Sequence, residues 1–190
     1  MTEHSDPDGF AFIAGRGSAQ SGGQRQQVPL LEAIAILLDW RKRSSFRCTA
    51  EVLEGGQLLE FDVTAWPRVQ SYSVRNADTG AVYGFDAHTG IMREVSDERP
   101  LLANQLSTEP VAARLAFPLS LGIWGRPGDS YRLTDAVEEG EAIMVAVEHQ
   151  QNSAMVGSLT IDRNRRQAVR LDTPTLSIRY RDIQPVAEHI

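Results

Sequence analysis

Apolar positions change spacing several times along this chain. In VPLLEAIAILLDWRKR, residues 28 to 43, Leu30, Ile34, Leu37 and Leu38 recur at helical intervals, and Leu31 and Ile36 widen the stripe. The spacing predicts a helix over 28–43, with Pro29 in its first turn. Arg41, Lys42 and Arg43 fall where the dipole at a helix C-terminus favours cations. A helix this apolar needs a cover, such as a sheet. From Phe46 onward the period shortens to two. Phe46 to Leu53 and Leu58 to Ala65 flank the hairpin signal EGGQ, and Val69 to Arg75 and Val82 to Asp86 flank NADTG. The turn DAHTG then leads into Ile91 to Val95.

The alternation stops at DERP, 97 to 100, and residues 101 to 121 read as helix in pieces. STEP, 107 to 110, is a helix start, Val111 to Phe117 a short helix, and Pro118 its end or bend. After GRPGD the strand pattern returns. It covers Tyr131 to Val137, Ala142 to Glu148, Val156 to Asp162, Gln167 to Asp172 and Leu176 to Ile183. One helix cannot fill so wide a sheet if it is flat. The expected fold is therefore α+β: a strongly curved antiparallel half-barrel of about nine to eleven strands. An N-terminal helix and a mid-chain helical insertion would cover its concave side.

Residues 1–27 are rich in Gly, Ser and Gln and read as a flexible tail, with one folded domain over 28–190. An apolar island inside the tail, Phe10 to Ala14, either packs on the domain or serves as a docking motif. Bulk composition narrows the function. The 190 residues carry a formal charge of −6, which opposes nucleic-acid binding. It also gives no attraction to anionic lipid surfaces. Lys42 is the only lysine, and Cys48 is the only cysteine, so no internal disulfide forms. The acidic start MTEHSDPDGF is not a signal peptide, and no apolar run is long enough to span a bilayer. The expected compartment is the cytoplasm, or the cell envelope if an export signal has been trimmed away.

The helix LLEAIAILLDW followed by FRCTAEV, the phrase VYGFDAHTGIMREV, and above all GSLTIDRNRRQAVRLDTPTLSIRYRDIQP carry a resemblance to a known group. Over roughly residues 28 to 184 the order of elements resembles the LolA-like superfamily of lipoprotein-carrier folds, which includes a domain of RseB-type sigma-factor regulators. It looks closest to actinobacterial LolA-like proteins of unknown role. The resemblance implies a curved sheet closed by helices on its concave side, and binding without catalysis. The sequence as it stands reads without the signal peptide and lipobox cysteine of the exported members.

No dinucleotide, phosphate-loop, zinc-protease or nucleophile-elbow motif occurs. His4, His88, His149 and His189 are scattered, and Asp86 beside His88 suits turn chemistry. Glu138, Glu139 and Glu141 mark a hairpin tip. Asp129 with Arg126 suits a structural pair, and Cys48 a small core residue. RNRR, 163 to 166, lies at a hairpin tip, either simply solvated or in contact with a phosphate or an acidic partner.

Under the LolA-like resemblance, Leu115, Phe117, Leu119, Leu121, Ile123 and Trp124 line or plug the concave side, together with Leu37, and Trp66 marks the rim. Either they wall an apolar ligand site or they fill a closed core. The leading expectation is non-enzymatic binding of a lipid or other apolar molecule there. The alternative is a regulatory domain that binds a peptide or partner protein in the groove or at a sheet edge. No catalytic residue, metal, cofactor, nucleic-acid partner or transmembrane segment is expected.

Overall fold

The computed structural model describes residues 23–94, 97–100 and 109–187. Helix α1 (Gly23–Leu38) opens them and tightens into a 3₁₀ turn over Asp39–Lys42. The helix starts five residues before its apolar stripe, because the polar run ahead of Val28 contains residues that tolerate helix well. Pro29 therefore lies inside the helix, not in its first turn. The buried face is Ala33, Ile36, Leu37 and Trp40, while Leu31 and Leu38 point outward. The inward stripe is thus narrower than the apolar one. The Phe10 to Ala14 island lies outside the described residues.

The strands are β1 (Phe46–Glu54), β2 (Gln57–Trp66), β3 (Ser71–Asn76), β4 (Val82–Asp86), β5 (Ile91–Glu94) and β6 (Asp97–Pro100) in the first half. The second half holds β7 (Tyr131–Glu139), β8 (Ala142–His149), β9 (Asn152–Asp162), β10 (Gln167–Asp172) and β11 (Leu176–Pro185). All pair antiparallel in one sheet, ordered β6-β5-β4-β3-β2-β1-β11-β10-β9-β8-β7. Each half is a meander of sequential neighbours, and the halves meet where β1 pairs with β11. The outermost strands, β6 and β7, do not pair with each other, so the sheet stays open. Strand β6 falls on DERP, where the sequence pattern predicts a break. Its charges and proline are what an edge strand carries to discourage further pairing.

One face of the sheet carries the core. Inward residues of distant strands, such as Val63, Val74, Ile143, Ile161 and Ile178, are closed to solvent. Helix α1 packs on β7, β8 and β10. The turn at Val111–Ala113 covers β1, β2 and β3, and the turn at Pro118–Ser120 meets α1. Phe117 joins the two fillings, with its ring 5.3 Å from Trp40 and 5.9 Å from Tyr72. The sheet curves around this shared filling.

No α-helix forms among the described residues of the mid-chain segment. Two 3₁₀ turns stand there instead, Val111–Ala113 and Pro118–Ser120. Pro110 and Pro118 lack the N–H groups that a longer helix would use. The hydrogen bonds span three residues, as from Ala113 N–H to the Pro110 carbonyl at 2.8 Å and from Ser120 N–H to the Phe117 carbonyl at 2.9 Å. Tyr180 on β11 pins the segment to the sheet. Its hydroxyl donates to the Ala112 carbonyl at 2.8 Å and accepts from Ala116 N–H at 3.3 Å.

Candidate functional site

The residues expected to wall a concave cavity are brought together, but mostly as packed core. Leu37, Leu115, Phe117, Leu121 and Ile123 are each 2% exposed or less. Leu119 points outward at 40% exposure. Trp124 is half-buried, and its indole N–H donates to the Pro118 carbonyl at 2.8 Å. Trp66 lies on the opposite, outer side of the sheet, where its indole N–H donates to the Ala187 carbonyl at 3.2 Å. On the filled side, Leu121 and Ile123 do border one small cavity of about 150 Å³, with Tyr131, Leu171 and Leu176. That is well below the roughly 300–1,000 Å³ of ordinary small-molecule sites.

The GRPGD corner is a structural latch. Asp129 accepts from the backbone N–H of Trp124 and of Arg126, each at 3.1 Å, and pairs with the Arg126 guanidinium at 3.1 Å. Arg126 Nη2 also donates to the carbonyls of Leu119 and Leu121. Partial burial alone would raise the Asp129 pKa, but these hydrogen bonds and the arginine charge hold it below the usual carboxylate range. Asp86 accepts from the N–H of His88 at 2.9 Å, so it shapes its turn. Among the described residues no group of three or more His, Cys, Asp or Glu could hold a metal ion. Burial pushes the Cys48 thiol up to about 12, which leaves it un-ionised and inert at neutral pH.

The larger clefts lie on the outer face, and strand register builds them. Side chains alternate along each strand. Opposite the inward Cys48, Val63 and Val74, short outward residues therefore fall in line. Gln184, Arg47, Thr64, Ser73, Gly84 and Arg93 form one unbroken cross-strand row over six strands, from β11 to β5. Arginine stands near one end and at the other, and the middle holds only Thr, Ser and Gly. A neighbouring row, Thr49, Asp62 and Arg75, makes one bank.

The result is a trough with two adjoining parts that share Ser73. One, of about 520 Å³, is bordered by Arg47, Thr49, Asp62, Thr64, Arg75 and Asp182. The other, of about 410 Å³, is bordered by Trp66, Gly84, Asp86, Thr89, Ile91 and Arg93. At neighbouring strands about 4.8 Å apart, the row is roughly 24 Å long.

Two backbone features shape it. The β1–β11 register shifts between Arg47 and Thr49, and beside that bulge Asp182 adopts a left-handed φ of 53°. Such bulges re-aim side chains, and here Asp182 reaches the trough. At Gly84 an added Cβ would lie 3.2 Å from the Tyr72 carbonyl oxygen, so the floor tolerates a side chain poorly there. Arg47 is held in place by donating Nε and Nη2 to Gln184 at 3.2 and 2.7 Å. Chemically the trough offers guanidinium and hydroxyl donors, three carboxylates and one indole. No histidine or nucleophile–base pair borders it among the described residues.

A scan against protein-family models finds no match, and a search of characterised proteins finds none. Among solved structures the chain is similar to MucB in complex with MucA(peri), at 15% identity and a TM-score of 0.46, over 84% of this chain and 57% of that one. The MucA/MucB complex of Pseudomonas aeruginosa matches at 14% identity and 0.46, over 84% and 58%. An uncharacterized conserved protein from Thermus thermophilus matches at 11% and 0.46, over 84% and 89%. This chain thus spans less than two thirds of the MucB chains it resembles.

Proposed function

We propose that this chain is a non-enzymatic binding domain that receives an extended segment of a partner protein in the outer trough. The observation that carries this reading is a cross-strand row continuous over six strands, with three small residues between two arginines. Extended chain rises about 3.3 Å per residue, so a trough of roughly 24 Å takes about seven residues. Arg47 and Arg93 favour acidic side chains near both ends of such a segment. Trp66 at the bank offers a flat apolar surface.

The test is selection of heptapeptides from a random display library on the wild-type protein, then on Ser73→Arg. The reading expects enriched peptides with acidic ends, bound at least about tenfold more weakly by the variant, a loss of about 1.4 kcal/mol. Peptides that bind the variant equally well would sink it.

A second reading, binding of an apolar ligand on the filled side, is favoured by the cavity beside Leu121 and Ile123. Its volume of about 150 Å³ suits a ring or a short alkyl group. Native mass spectrometry of the purified protein tests it, since a co-purifying apolar species lost in Leu121→Trp would support it. A clean mass with no uptake of an added aromatic-ring or short-alkyl ligand would reject it.

A further inference from the structure

Among the described residues, four buried side-chain polar atoms have no hydrogen-bond partner: Arg43 Nε and Nη1, Gln167 Nε2 and Tyr131 Oη. Three of these four are nitrogen donors, and they belong to residues around one cleft. The cleft runs between the end of α1, the start of β1 and the turn from β9 to β10. It comprises two cavities, of about 230 and 290 Å³, and both are bordered by Arg43, Ser44, Asn164 and Arg165. Lys42 and Arg166 border the first and Gln167 the second.

Arg43 is only 7% exposed, and among the described residues its guanidinium makes one hydrogen bond, from Nη2 to the Ile36 carbonyl at 3.1 Å. No carboxylate pairs with it among those residues. Burial, helped by the charge of Arg166, lowers its pKa to about 10, so it remains a cation at neutral pH. A buried cation without a counter-charge is costly unless something else neutralises it.

The surrounding charges do not balance. Asp39 pairs with Lys42 at 2.9 Å and lies 3.8 Å from Arg166, and Asp162 pairs with Arg165 at 2.6 Å. Four cations, Lys42, Arg43, Arg165 and Arg166, thus face two carboxylates among the described residues, which leaves two positive charges in excess. The arginines of RNRR divide their work. Arg163 binds Glu32 of α1 through two bonds of 3.0 Å and locks the turn onto the helix. Arg165 and Arg166, each with a side chain 55% exposed, stand at the cleft mouth.

The geometry points to a binding site for a phosphate group in this cleft, held by Arg43 from beneath and by Arg165 and Arg166 from the mouth. A phosphate brings close to two negative charges and three strong acceptor oxygens. That complements a cleft with two excess positive charges and unused nitrogen donors. A carboxylate supplies half the charge, and a neutral ligand leaves Arg43 uncompensated. The trough on the outer face shares no residue with this cleft.

The experiment is a titration of ¹⁵N-labelled protein with inorganic phosphate, following the Arg43 Nε–H signal, against sodium chloride at equal ionic strength. The expected result is a saturable shift with phosphate and none with chloride. It should come with thermal stabilisation of the wild type. The double variant Arg165→Gln, Arg166→Gln keeps the buried core intact and should bind at least about tenfold more weakly. Vesicles containing phosphatidic acid that displace phosphate would assign a lipid headgroup as its source, and failure to displace it a soluble phosphate. An Arg43 signal that stays fixed, or phosphate binding equal in the double variant, would overturn the site.

Discussion

At the scale of single residues, the informative side chains are those whose surroundings contradict their usual habits. Asp129 is readable from sequence as a turn residue after Gly128. Its grip on Trp124 and Arg126 is not, nor is the reach of Arg126 to the carbonyls of Leu119 and Leu121, because both depend on how the chain folds back at this corner. The carboxyl pKa is lower in the folded chain than the unfolded value of about 3.9. A group depressed in this way adds stability fully above its unfolded pKa, and loses it as pH falls through the folded one. Asp129→Asn should therefore lower stability by about 1 kcal/mol at neutral pH. Urea melts of the two proteins should converge in acid, below the folded pKa. A constant gap across that range would mean that ionisation of Asp129 contributes nothing. Leu119 teaches the opposite lesson. Its apolar character placed it among cavity residues, yet its 3₁₀ turn presents it to solvent.

At the scale of elements, the strands follow the alternation closely, and the departures have physical causes. β6 is hidden in DERP because an edge strand is selected for charge, not for burial. The mid-chain segment has helical composition, but among its described residues, from 109 on, prolines at 110 and 118 restrict it to isolated turns. What holds it is side-chain bonding from a strand far away in sequence. Tyr180→Phe leaves the packing in place but takes the hydroxyl donor from a buried carbonyl at Ala112, while the Ala116 N–H keeps its bond to the Ala113 carbonyl at 2.9 Å. A loss of about 1–3 kcal/mol is expected on chemical unfolding. The largest rise in amide exchange should fall across the turn from Val111 to Phe117 that the hydroxyl ties to β11. An unchanged midpoint would show that the turns are held by apolar packing alone.

At the scale of the molecule, curvature follows from the count of strands against helices, and so could be anticipated. The trough could not. Each of six strands supplies one ordinary residue, and only the pairing register aligns them. The basic cleft was half visible, since RNRR announces itself while Arg43 hides at the end of an apolar helix. The pairing of the first strand with the last has a consequence for assembly. During synthesis the strands up to β6 can zip as they emerge. The central seam must wait for residues 176 to 185. Loop closure over so long a stretch is a slow step. The same arrangement makes the chain divisible. Two peptides, one ending after Pro100 and one beginning at Glu109, should find each other when mixed and restore the far-ultraviolet circular dichroism of the whole. Such a split pair could serve as a reporter that lights up only when both halves share a compartment.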